Sequence, residues 1–156
     1  MIRTGFLRDH LGYTLIELVM IIVLLGLLVA SAAVNWPTGM KEEAAVLDFI
    51  RAVRYAQHLA LTREYDPASP TSAWGIIVAA NEYDVKRADD SDSGDPEYQN
   101  HVLPGNTIIS TGSVWFNGLG EPIDITTPSG DPLTSETTFS IGGTTVTVFR
   151  ETGYVE

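Results

Sequence analysis

The chain has 156 residues, 44% hydrophobic and 19% charged, with a mean hydropathy of +0.09, which leaves room for one core plus an anchor and none for two full domains. Its formal net charge of −11 repels phosphate backbones and anionic membrane surfaces, so no nucleic acid is expected as a partner. There is no cysteine, which excludes a disulfide framework and the acylated cysteine of a lipoprotein.

The first element is apolar. Gly12-Tyr13-Thr14-Leu15-Ile16-Glu17-Leu18 leads into an apolar run from Leu18 to Val34. The 22 residues Tyr13 to Val34 make about 33 Å of α-helix at ~1.5 Å per residue, against a hydrocarbon layer of about 30 Å. The expected element is therefore a transmembrane helix over residues 13–34. One ionisable group, Glu17, lies inside it, near the end that follows Arg3 and Arg8. A charged carboxylate costs about 2.5 kcal/mol or more at mid-membrane and less near an edge, so Glu17 asks for a partner.

A short basic leader ending in Gly12, then an aromatic, then Thr14-Leu15-Ile16-Glu17 and an apolar helix, resembles the class III signal of type IV pilins and type II secretion pseudopilins. The resemblance implies a leader of residues 1–12, cut by a membrane peptidase between Gly12 and Tyr13. It also implies methylation of the new amine on Tyr13, and pairing of Glu17 with the amino terminus of a neighbouring subunit during filament assembly. Tyr13 departs from the phenylalanine usual in the family while keeping the ring. Physically, an ammonium freed at Tyr13 and an acid one helical turn on are matched charges in low dielectric. Because residues four apart share a helix face, Glu17 can also pair within its own chain, or stay near the headgroups.

Ala30-Ser31-Ala32 after a basic start and an apolar core also fits a secretory signal peptide, which would release a protein beginning at Ala33. Against that stand Glu17 and the Gly-Tyr-Thr-Leu-Ile-Glu string, which an ordinary signal peptide does not need. Arg3 and Arg8 before the span place the leader in the cytoplasm and the acidic body, from Asn35 on, outside. The expected location is the bacterial inner membrane, single-pass, with a periplasmic C-terminal domain, and then the filament.

Residues 35–64 are expected as a stem. Asn35-Trp36-Pro37-Thr38-Gly39 breaks the first helix, either as a kink or as a boundary with a new start at Thr38. From Met40 to Thr62 the pattern is amphipathic: Val46, Phe49, Ile50, Val53, Ala56 and Ala60 share a face, while Glu42, Glu43, Asp48, Arg51, Arg54 and His58 occupy others. This half-helix should lie on a sheet and, joined to the span, would make a helix of about 50 residues. Asp66-Pro67 and Ser69-Pro70 stop it.

Residues 65–156 read as an antiparallel β domain. Trp74 to Ala79 and Tyr83 to Arg87 form a hairpin around Ala80-Asn81-Glu82. Arg87 to Gln99 is a polar loop, and Thr107 to Ile109 and Val114 to Phe116 are short strands divided by Gly112. Asn117 to Pro122 turns, and Ser129-Gly130-Asp131-Pro132 breaks the chain again. Thr137 to Ile141 and Thr144 to Phe149 pair across Gly142-Gly143. Phe116 to Pro122, Thr138-Phe139-Ser140 and Val146 to Val155 are similar to the corresponding regions of H-type pseudopilins and FimT-like minor pilins. That likeness implies an α+β fold in which a long N-terminal helix, membrane-spanning in its first half, packs on antiparallel sheets.

Chemistry is sparsely signalled. Without the leader the histidines are His58, on the polar side of the helix, and His101, in a loop; both read as surface residues. No Gly-x-Ser-x-Gly, metal-type histidine cluster or P-loop occurs, so no catalytic residue, metal or cofactor is expected. Asp89-Asp90-Ser91-Asp92-Ser93-Gly94-Asp95 suggests a calcium loop, but Asn100 stands where a bidentate glutamate belongs, and a solvated loop is the expectation. The expected function is a structural minor subunit of a type II secretion pseudopilus. Its partners would be the prepilin peptidase, other pilin or pseudopilin subunits and the inner membrane. The alternatives are a type IV pilus minor pilin, a pilin-supported adhesin or binding head, and an anchored enzyme needing a concave site that the sequence does not advertise.

Overall fold

The computed structural model of the chain describes residues 14–34, 38–107 and 109–156, with the backbone alone at 32–34 and 38. The fold is α+β, and the chain divides into two compact units at Pro37 and Thr38. The first contributes one helix, α1 (Leu15–Val34). The second opens with α2 (Thr38–Thr62) and continues through eight strands: β1 (Trp74–Ala79), β2 (Glu82–Arg87), β3 (His101–Val102), β4 (Gly112–Phe116), β5 (Pro122–Asp124), β6 (Asp131–Pro132), β7 (Thr137–Ile141) and β8 (Thr144–Val148). Six of them form an antiparallel sheet in the order β3-β2-β1-β4-β5-β6, and β7 and β8 form a hairpin of their own.

The α2 pattern becomes the core. Ala45, Phe49, Ala52, Val53, Ala56, Leu59 and Ala60 are buried and Val46 and Ile50 half-buried, so the burying stripe recurs at the three-and-four spacing of a helix face. Alanines at four of these positions let the strands approach the helix closely. Phe49 meets Tyr83 of β2 edge-on at 6.1 Å and Phe139 of β7 edge-on at 5.0 Å, so one ring joins the large sheet to the hairpin. Ile76, Val85, Val114, Phe116, Ile141, Val146 and Val148 are among the other residues of this cluster. On the other face of the sheet Trp115 packs with Ala73 and Ile123 in a smaller one.

Two glycines have a geometric reason. Gly75 pairs with Trp115 across β1 and β4, and a Cβ there would lie 2.3 Å from the Val114 carbonyl oxygen; a strand glycine marks such a close approach. Gly142, at φ 59°, makes the turn between β7 and β8.

Four sequence expectations change. Gly112 lies inside β4 and does not divide two strands. Ile109 forms an isolated bridge to Ile141, in place of a strand over 107–109, and Ile108 lies outside the described residues. The breaker Asp131-Pro132 is an edge strand whose partner is β5, and β5 itself has no signal of its own. The polar loop after Arg87 buries Ser93 and Tyr98; Tyr98 stacks on Tyr55 of α2 with ring centroids 4.1 Å apart. The break expected over Asn35-Trp36-Pro37 lies outside the described residues.

Candidate assembly helix

In α1 the sequence LIELVMIIVLLGLLVASAAV has no polar face, so no rotation of the helix gives it a stripe to bury. Its described large apolar side chains are all exposed, from 40% at Ile21 to 81% at Leu15. Scattered exposed leucines need no explanation, but a whole helix of them marks a surface meant for lipid or protein. Among the described residues no helix is long and apolar enough to cross a membrane. The described side chains of α1 end at Ser31, a stretch of about 25 Å.

The helix starts at a cap. The Thr14 hydroxyl oxygen accepts a hydrogen bond from the Glu17 backbone N–H at 3.3 Å, and the Thr14 carbonyl accepts the first helical bond, from Leu18 N–H at 3.2 Å. Thr14 is thus the N-cap and Glu17 the third helical residue, and the bond made is a side-chain N-cap to the Glu17 backbone. Its carboxylate lies in the first turn, where the helix dipole favours negative charge. The cap is therefore the work of the Thr14 hydroxyl on a backbone N–H, and it is independent of the reading of Glu17 as a countercharge. The two roles are compatible, since the cap uses the Glu17 backbone and leaves its carboxylate for another group. Gly12 and Tyr13, the residues of the expected cleavage and methylation, lie outside the described residues.

The second unit places the remaining candidates. His58 is exposed on α2. His101 is not a loop surface residue: it lies on β3, half-buried, stacked on Tyr83 at 5.0 Å, with Nε2 2.9 Å from Asp48 Oδ2 of α2. The Tyr83 hydroxyl is buried beside Asp48 without a well-formed hydrogen bond. Burial, and then the Asp48 charge, push its pKa well above the usual tyrosine value. This cluster ties β2 and β3 to the helix, and pairing in space, not spacing in sequence, creates it.

Three aspartates of the acidic loop are engaged locally. Asp90 pairs with Lys86 at 2.8 Å, Asp89 accepts from Ser91 N–H and lies 3.6 Å from Arg87, and Asp95 caps the turn at Glu97. The Ser91 hydrogen bonds hold the Asp89 carboxyl below the usual aspartate range. Among the described residues no three histidine or carboxylate side chains group to hold a metal ion.

Of the open grooves in the second unit, one of about 760 Å³ is lined by Lys41, Glu42, Gly105, Thr107 and others, and two others carry aromatic side chains. One, of about 730 Å³, is lined by Phe149, Tyr154, Arg150, Glu136, Glu151 and others. The second, of about 620 Å³, is lined by Tyr65, Arg63, Asn117, Leu119 and others. Neither is lined by a histidine. Comparison with protein-family models, with curated proteins and with solved structures finds no match to this chain.

Proposed function

We propose that the chain is a membrane-anchored minor subunit of a filament, a pseudopilin of the type II secretion class, which inserts through residues 13–34 and carries the α2–sheet unit outside. The observation that supports this reading is α1: apolar and exposed on every face, with one carboxylate in its capped first turn. The proposed span includes Tyr13 and the side chains beyond Ser31, and so is longer than the stretch whose side chains are described. Cleavage after Gly12 by a prepilin peptidase would free an ammonium at Tyr13, and Glu17 of a neighbouring subunit would neutralise it in the membrane. A type IV pilus minor pilin has the same parts.

Intact mass and N-terminal sequencing of the membrane-extracted protein test the anchor. The expected product begins at a methylated Tyr13, and Gly12→Val leaves the chain uncut but inserted. A product beginning at Ala33 overturns the reading in favour of a cleaved secretory signal. Assembly is tested with Glu17→Val, which should be processed normally yet lose crosslinking to its filament partners. Stranding the ammonium of a neighbour costs several kcal/mol, about 3–5 for a buried pair that loses one member. Normal crosslinking of a correctly processed Glu17→Val protein removes the intersubunit role.

A binding head carried by the filament is the second reading, favoured by Tyr154, 53% exposed, beside Phe149 in the groove of about 730 Å³. Tyr154→Ala should weaken cargo or target binding and leave crosslinking of the filament intact.

A further inference from the structure

Of the described aromatic side chains only Tyr154 is exposed; the rest are buried or half-buried. The backbone explains where it points. Val148 and Val155 face each other across an antiparallel bridge and are both buried, so their neighbours Phe149 and Tyr154 turn to the opposite face. The Phe149 N–H donates to the Tyr154 carbonyl at 2.8 Å, and the two rings lie 6.1 Å apart, tilted by 34°. Half-buried Phe149 thus supports the Tyr154 ring from within and leaves its outer side open. Glu156, two residues on, shares the face of Tyr154. The groove around the ring also holds Glu136, Glu151 and Arg150. Arg150 is already engaged, 3.2 Å from Glu151 and 3.3 Å from the Thr134 carbonyl. The carboxylates of Glu136 and Glu156 form no ion pair among the described residues. One open aromatic face and two uncompensated charges therefore meet in one groove.

We infer that this groove seats a basic segment of another polypeptide by an arginine, its guanidinium over the Tyr154 ring and Glu136 or Glu156 as the counter-charge. A guanidinium is planar and weakly hydrated, so it stacks on an aromatic face, and a carboxylate at the edge accepts its N–H groups in pairs. A neutral sugar also stacks on such a ring, but it leaves both carboxylates uncompensated. A phosphate-bearing ligand is repelled. The inference rests on the reading of the second unit as a binding head and adds to it the chemistry of what the head takes.

The full chain in phosphatidylcholine nanodiscs, with empty discs as the blank, is titrated calorimetrically with an end-capped peptide of alternating arginine and glycine. The same peptide with citrulline, which keeps the shape of arginine without its charge, should bind about tenfold more weakly or not at all. Tyr154→Ala should lower the affinity for the arginine peptide about fivefold, while Tyr154→Phe, which keeps the ring, should preserve it. Glu136→Gln with Glu156→Gln should lower it about tenfold. Glu43→Gln, Asp92→Asn and Glu97→Gln together remove more charge from exposed positions outside the groove and should leave the affinity unchanged. An equal loss there means that the peptide follows the net charge of −11 and overturns the site. Equal binding of the arginine and citrulline peptides, or full affinity in Tyr154→Ala, overturns the cation on the ring. If cellohexaose binds in place of the peptide and Tyr154→Ala abolishes it, the inference falls while the binding head stands. If no probe binds, the inference falls, and the binding head stands or falls with the effect of Tyr154→Ala on target binding in native membranes.

Discussion

The two helices are of similar length, 20 residues in α1 and 25 in α2, and both are regular, yet they answer to different solvents. In α2 the apolar residues are gathered on one side, and that side is covered: Phe49, Val53 and Ala56 are fully buried. In α1 they are on all sides, and each described one is exposed. A helix that must fold against a sheet in water needs a polar face, because the uncovered side has to meet solvent. A helix with no polar face is stable only where its surroundings are apolar all round. The contrast separates two helices within one chain: α2 makes the fold, and α1 is the helix for which we propose the attachment.

Four variants sharpen or break that contrast. Phe49→Ala should cost the second unit about 3–5 kcal/mol, because it removes the ring that joins sheet and hairpin and leaves a cavity; thermal melting reads it, and membrane extraction should be unchanged. If extraction changes equally, the two helices do not have separate roles. Leu24→Arg should reverse the pattern, costing roughly 2.5–3.5 kcal/mol in membrane insertion and leaving the melt of the second unit unaltered. A chain that partitions into membranes as before would mean that α1 is covered by something other than lipid.

Tyr83→Phe removes a buried hydroxyl that has no good partner, so it should leave stability at neutral pH unchanged or raise it by about 1 kcal/mol. The sign with pH follows from the raised pKa of Tyr83. Its neutral form is favoured in the folded state, so that contribution is fully present below the unfolded tyrosine value of about 10 and is lost as pH rises above it. The gap between variant and native protein should therefore widen in alkaline melts, and a constant gap would deny the burial of that hydroxyl. The smallest effect is at the cap. Thr14→Ala should weaken the start of α1 by about 1 kcal/mol, seen as faster amide exchange at Glu17 with insertion intact, whereas Thr14→Ser should restore it.

Much of the second unit was legible in the residues. The α2 stripe, the β1–β2 hairpin and the pair across Gly142-Gly143 have strong local signals, because helical period, alternation and turn glycines act within a few residues. β5 and β6 did not show: three and two residues long, beginning and ending in prolines, they are strands only because β4 offers an edge to pair with. Ser93 and Tyr98 were hidden by the aspartates around them, whose charge makes the whole segment read as solvated. His101 was missed because its partner Asp48 comes from α2, far away in sequence. At the candidate site the balance is reversed. Glu17 stands out on hydropathy alone, while its cap was spelled in Thr14-Leu15-Ile16-Glu17 and passed over because the apolar run after it dominates the reading.

Gln57 near the end of α2 has a kinetic consequence. Its side-chain amide donates at 2.8 Å to two carbonyls, Gly120 and Thr152, and one turn earlier Arg54 reaches toward the carbonyl of Val155. These contacts span about 60 to 100 positions of sequence, and Val155 is itself core. Closing loops of that length is slow, and no nearer segment can substitute for them. During synthesis α2 emerges early, with Phe49, Val53 and Ala56 uncovered, and the last side of its core is sealed only when residues 152–155 have left the machinery. The second unit therefore completes its fold late, and until then the apolar face of α2 stays uncovered.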